Sequence, residues 1–180
     1  MSAATNAPGV LLALALLAAA PADAAVVDAS AAGFTVRHVV EVSAPGWSAY
    51  QTITDRIGTW WDPNHTFSGR STNLTIDARP GGCFCEQLPQ GGVRHMTVVY
   101  ADPGKLLRLT GGLGPLQELA VSGTMTWAFV PTGNKTTITL TYAVGGYAPG
   151  GLQAVAPAVD MVLGAQVARL QRLIDTGRAE

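Results

Sequence analysis

Charge is scarce in this 180-residue chain: 13% of residues are charged, against about a quarter in ordinary globular domains. The scarcity is not that of a disordered chain, which is poor in apolar residues and rich in charge, because 48% of residues are hydrophobic. Basic excess is also missing. Eleven Lys and Arg face 12 Asp and Glu, so nothing in the balance neutralises phosphates, and nucleic acid is excluded as a partner class. With two cysteines and three histidines in the chain, a structural metal site of about four such ligands is poorly supplied. Gly-x-Ser-x-Gly, His-Glu-x-x-His and a phosphate-binding glycine loop are all absent. No catalytic residue, metal or cofactor is therefore assigned.

The longest apolar run is Val10–Ala20, VLLALALLAAA. It is shorter than the roughly 20 residues needed to span a bilayer and fits the apolar stretch of a secretory signal. Ala22-Asp23-Ala24 suits signal peptidase, with cleavage after Ala24 or Ala25, although Met1–Gly9 carries no Lys or Arg. The alternatives are a helical N-terminal extension or a misassigned start codon. The expectation is a signal peptide over residues 1–24, export to the periplasm or medium, and no stable membrane span after cleavage. Losing Asp23 would leave 12 − 1 = 11 acidic residues against 11 basic ones.

Residues 25–33 are small and polar, and are expected to form a flexible leader. Phe34–Ser43 has β-branched residues near alternate positions and reads as a strand. Pro45 suits a helix's first turn, and Trp47, Tyr50, Ile53 and Ile57 follow at helical spacing, with Gly58 as the stop. From residue 73 onward short strands alternate with Gly/Pro turns. In the last of them Ile138, Leu140, Tyr142 and Val144 alternate with Thr137, Thr139, Thr141 and Ala143, so one face meets a core. Leu152–Ile174 keeps a three/four apolar spacing, with Pro157 as a kink or true start and Gly177 as the cap. The order gives one α+β domain over 34–176, a curved antiparallel sheet of about six to seven strands with a long C-terminal helix on its concave face.

Cys83 and Cys85 would lie on one side of a strand, roughly 6.5–7 Å apart, at the limit for an unstrained bridge. Closing it would require a kink. Two partly apolar strand residues is the plainer expectation, with a redox pair or intermolecular bridge as alternatives.

Several segments in this order carry a family resemblance. They are Trp60-Trp61-Asp62-Pro63, Pro80-Gly81-Gly82-Cys83-Phe84-Cys85-Glu86, Val99-Tyr100-Ala101-Asp102-Pro103-Gly104-Lys105, Gly123-Thr124-Met125-Thr126-Trp127 and Tyr142-Ala143-Val144-Gly145-Gly146-Tyr147. The chain resembles the SRPBCC superfamily (START-like, helix-grip), in the branch related to the activator of heat-shock chaperone ATPase and the polyketide cyclases. The resemblance implies a sheet gripping the C-terminal helix around an apolar cavity. Members bind lipids, sterols, polyketides or plant hormones; some cyclise or dehydrate polyketides, and others bind chaperones. An export signal argues against the last role. A small hydrophobic, lipid- or polyketide-like molecule is the expected partner; a cyclase/dehydratase-type enzyme acting in the same cavity is the alternative, and a protein-interaction module using the sheet's outer face is the second.

Alternation then nominates a ligand-binding set. Met125, Trp127 and Phe129 on one strand, and Leu140 and Tyr142 (with Ile138) on the next, face inward. Phe84 and Met96 join them, Val159 and Leu163 come from the helix, and Trp60, Trp61 and Phe67 form a rim. Ordinary core packing is the competing reading for each. His38 is expected at the surface; His95, Tyr100 or Asp160 would serve as acid or base if the cavity hosts cyclisation.

Overall fold

A computed structural model describes Met1 and residues 25–180; apart from Met1, the expected signal segment lies outside the described residues. Among the described residues eight strands form one antiparallel sheet: β1 (Val26–Ser30), β2 (Gly33–Val42), β3 (Leu74–Ile76), β4 (Cys83–Leu88), β5 (Gly91–Asp102), β6 (Leu106–Gly111), β7 (Ala120–Thr132) and β8 (Lys135–Tyr147). Their spatial order is β1-β2-β8-β7-β6-β5-β4-β3. Helices α1 (Gly46–Asp55) and α2 (Ile57–Trp60) sit between β2 and β3, and α3 (Ala156–Thr176) closes the chain. This is the helix-grip arrangement, with one strand more than the sequence indicated.

The extra strand corrects the expected flexible leader. Val26–Ser30 pairs with β2, and Arg37 N–H reaches Ala25 O at 2.7 Å. The segment reads Val-Val-Asp-Ala-Ser, too short for a clear period, and its pairing is carried chiefly by backbone groups at the sheet edge. The β8 alternation is as expected. Ile138, Leu140, Tyr142 and Val144 are buried and stand opposite Phe129, Trp127, Met125 and Gly123 of β7.

Pro157 lies in the first turn of α3, so it marks the helix start, and Gly177 ends it with φ 80° while its N–H bonds Leu173 O at 2.9 Å. Leu163, Val167, Leu170 and Leu173 form the buried stripe, each contributing about 1.5–3 kcal/mol by burial. Gly58 does not stop the first helix. The break falls at Arg56, and Gly58 lies within α2, where an added Cβ would meet Ser71 O and Thr72 Cα at 3.0 Å. Trp47 is exposed and stacks on Tyr50 instead of joining the core. No helix among the described residues is long and apolar enough to cross a membrane.

Cys83 and Cys85 are joined by a disulfide. Their Cα atoms are 5.3 Å apart, closer than the roughly 6.5–7 Å of a regular strand. The required kink is present: pairing of β4 with β5 slips so that Phe84 faces Met96 and Cys85 faces Arg94. His95 is the extra residue of that bulge. Consequently His95 and Met96, though adjacent, are both buried.

Candidate functional site

Between α3 and the sheet lies a cavity of about 350 Å³. Leu74, Phe84, His95 and Tyr142 border it from the sheet, and Val155, Ala158, Val159, Val162 and Leu163 from the helix side. The mouth is made by Trp61 with Asn64–Phe67, and by Leu113–Leu116 with Leu119. Among the described residues no Lys, Arg, Asp or Glu is on the wall.

Local chemistry holds the mouth loop. Trp61 Nε1–H donates to His65 O at 3.0 Å, and Asp62 Oδ1 accepts from Asn64 N–H at 2.9 Å, capping the 3₁₀ turn Pro63–His65. Asp62 N–H donates to Gln166 Oε1 at 2.8 Å, which ties the loop to α3. Farther along, both oxygens of Glu86 accept backbone N–H groups, one from Phe67 at 3.1 Å and the other, at very short range, from Ser68. Phe67 itself remains half exposed at the mouth.

Tyr142 braces the opposite wall. Its hydroxyl donates to Gly111 O at 2.9 Å and accepts from Leu113 N–H at 3.0 Å. Burial pushes the phenol up to about 12, the Leu113 amide opposing, so it stays protonated at neutral pH. Gly123 makes room for the ring: a Cβ there would lie 2.5 Å from Tyr142 Cε2.

The polar centre of the wall is His95. Its Nε2 is 3.0 Å from Glu86 Oε2, and both side chains are nearly inaccessible. Burial opposes ionisation of Glu86, but the Ser68, Phe67 and His95 hydrogen bonds outweigh it and hold the carboxyl below its ordinary value. Burial lowers His95 below its ordinary 6.5, and Glu86 only partly offsets this. The pair is therefore an ionised carboxylate and a neutral imidazole at neutral pH. Phe67 stacks on the imidazole (centroids 5.9 Å, 11° between planes), and Phe84 packs at 5.1 Å.

His38, expected at the surface, is largely covered, its Nε2 3.1 Å from Asp160 Oδ1 on α3. Burial lowers its pKa as well, with Asp160 opposing. Folded-state values of His38 and His95 below the unfolded 6.5 mean that the unfolded chain takes up these protons first. Stability should be flat between about pH 7 and 8 and decline from about pH 6.5 downward. A further decline should follow below about 4.5 as Glu86 is protonated in the unfolded chain. Urea midpoints between pH 8 and 4 measure this, and a rise between pH 7 and 5.5 would contradict it.

The sequence-nominated set divides. Trp61, Phe67, Phe84, Tyr142, Val159 and Leu163 border the cavity. Trp60, Met96, Met125, Trp127, Phe129 and Leu140 are buried but do not border it. Alternation identifies the inward face of a strand, not how far along that face the helix rests directly on the sheet. Tyr100 is exposed beneath Arg108, and Asp160 pairs with His38; neither reaches the cavity. Glu86 was missed, although its spacing from Phe84 signals a charge on an inward face. Val155, Ala158 and Val162 and the Leu113–Leu119 segment were also missed: the first three lie in the stretch with helical spacing but were not nominated as lining, and the Leu113–Leu119 segment follows no strand alternation. Among the described residues no group of three or more His, Cys, Asp or Glu gathers to hold a metal ion.

Solved structures share this architecture. A conserved protein of unknown function from Enterococcus faecalis aligns at TM-score 0.59 and 12% identity, over 83% of this chain and 75% of that one. The Aha1 dimer structure from Colwellia psychrerythraea aligns at TM-score 0.58 and 14% identity, over 79% and 97%. DynU16, a putative protein in the dynemicin biosynthetic locus, aligns at TM-score 0.54 and 22% identity, over 81% of this chain and 48% of that one. At these identities the likeness is one of fold. No curated protein matches the chain. The family model described as polyketide cyclase / dehydrase and lipid transport matches residues 33–175, almost the whole described sheet and helix, and the chain thus belongs to that family within the SRPBCC superfamily.

Proposed function

We propose that this protein binds a small hydrophobic or amphipathic molecule between the sheet and α3. The carrying observation is a cavity of about 350 Å³ whose wall is apolar but for a few groups and holds no charged side chain. That volume lies within the roughly 300–1,000 Å³ of small-molecule sites. The family's description, which joins polyketide chemistry with lipid transport, supports the same class of ligand. Affinity would come from burying ligand surface at about 25 cal/mol per Å², less the costs of association.

Naphthalene, a purely apolar probe, should quench Trp61 fluorescence saturably. Val159→Trp, which puts an indole into the cavity, should weaken binding at least tenfold while leaving the urea midpoint nearly unchanged. Naphthalene binding that is absent, or unaffected by this substitution, would defeat the reading.

A second reading, a cyclase or dehydratase acting in the same cavity, is favoured by one observation: His95, a neutral imidazole backed by a carboxylate, borders the cavity. Turnover of a poly-β-ketone that survives His95→Leu would remove it. We also propose export. The Val10–Ala20 run and the Cys83–Cys85 disulfide, a bond of oxidising compartments, support it. Protein recovered from its native cells should begin at Ala25 or Val26; an intact Met1 start would count against export.

A further inference from the structure

We infer that His95 is a hydrogen-bond acceptor that selects neutral ligands carrying an O–H donor, such as an alcohol, a phenol or an enol, over both plain hydrocarbons and carboxylates. The inference rests on the cavity being a ligand site and adds the chemistry that site would recognise.

Glu86 is ionised, and an ionised carboxylate only accepts hydrogen bonds. The proton shared across the 3.0 Å contact therefore sits on His95 Nε2. In a neutral imidazole the second nitrogen then carries a lone pair and no proton. That nitrogen, Nδ1, is buried and has no partner among the described residues. The side chain carrying it is 5% exposed and borders the cavity, while Nδ1 itself has almost no accessible surface, so a ligand donor reaches it only with a small displacement of the groups around the ring. An acceptor buried without a partner costs free energy that a ligand donor would recover. The β5 bulge turns His95 inward, Phe67 and Phe84 hold its ring from two sides, and Glu86 fixes its tautomer. These contacts fix the ring and its tautomer, unlike those of a flexible surface histidine.

The other polar groups on the wall sharpen the selectivity. The Tyr142 hydroxyl both donates and accepts within the protein, so it is already engaged. No Lys or Arg borders the cavity to balance an anionic ligand, and the Glu86 charge stands directly behind His95. A carboxylate would meet a lone pair and, behind it, a like charge. A hydrocarbon would fill the space but leave Nδ1 unpaired. Sites built around a buried polar group discriminate against analogues that lack its partner.

The test compares 1-naphthol, naphthalene and 1-naphthoate at pH 7.5 by fluorescence titration of the whole protein. Naphthol should bind about tenfold tighter than naphthalene, and naphthoate more weakly than either. Within the His95→Leu variant naphthol and naphthalene should bind with equal affinity, the tenfold preference being lost. Because substitution at a buried site can disturb folding, the unsubstituted protein gives a second readout. In ¹⁵N-histidine NMR, His95 should show a protonated Nε2 and a bare Nδ1, and the Nδ1 resonance should move on adding naphthol but not naphthalene. Equal binding of naphthol and naphthalene overturns the inference and leaves the cavity reading standing. Tightest binding by naphthoate, or a proton found on Nδ1, also overturns it. Binding of none of the three overturns both.

Discussion

Replacing Glu86 with alanine is expected to cost about 3–5 kcal/mol of folding stability. Glu86 is 1% exposed and accepts from Phe67 N–H, Ser68 N–H and His95 Nε2. Truncation leaves those three donors buried or half-buried without a partner, and each such loss costs about 1–3 kcal/mol where water cannot replace it. Glu86→Gln should cost less, because one amide oxygen still accepts from the loop. The alanine variant should also speed hydrogen exchange at the Phe67 and Ser68 amides, since this carboxylate holds the cavity mouth against β4. Urea unfolding of the two variants measures the difference. A loss under about 1 kcal/mol for the alanine variant would mean that the carboxylate is not what secures the loop.

The second large effect separates two adjacent tryptophans. Trp60 has no accessible surface, donates Nε1–H to Thr52 O at 3.0 Å and packs edge-on to Trp127 at 6.2 Å. Arg169 Nε donates to its carbonyl at 2.8 Å, binding α2 to α3. Trp60→Ala should therefore cost about 3–5 kcal/mol, as for other large-to-small core changes. Trp61 borders space that is already open, so Trp61→Ala should cost less stability but weaken naphthalene binding severalfold. The reverse pattern, with binding lost at Trp60 and stability lost at Trp61, would refute this division. Adjacent in sequence, the two differ because α2 ends at Trp60, while Trp61 adopts an extended backbone (φ −66°, ψ 137°) and turns its ring toward Phe84.

The sequence signal for the fold was strong wherever a period was regular. The β8 alternation, the α3 stripe, and the Pro157 and Gly177 punctuation are local properties, and each appears in the structure where the residues placed it. It was weaker where backbone pairing, not side-chain pattern, does the stabilising. Val26–Ser30 is too short to show a regular alternation yet completes the sheet edge. The cysteines show the same limit from another side. Regular strand geometry separates them too far, whereas in the structure their Cα atoms are 5.3 Å apart where the β4–β5 register slips.

For the candidate site, the sequence by itself determined the ingredients: a low-charge α+β chain, an inward aromatic face, a long amphipathic helix, and a family whose fold encloses a cavity. Tertiary structure decided which of those ingredients touch the cavity. Trp127 and Phe129 share a face with Tyr142 across the β7–β8 ladder, but only Tyr142 lies where the helix stands off the sheet. Tertiary structure also decided the chemistry of the wall. Glu86 and His95 are nine residues apart and become partners only because a one-residue bulge turns His95 inward beside a carboxylate that the 67–68 backbone keeps ionised. Side-chain period is a local quantity readable along the chain; register slips and burial of charge arise from pairing between segments, and no local pattern encodes them.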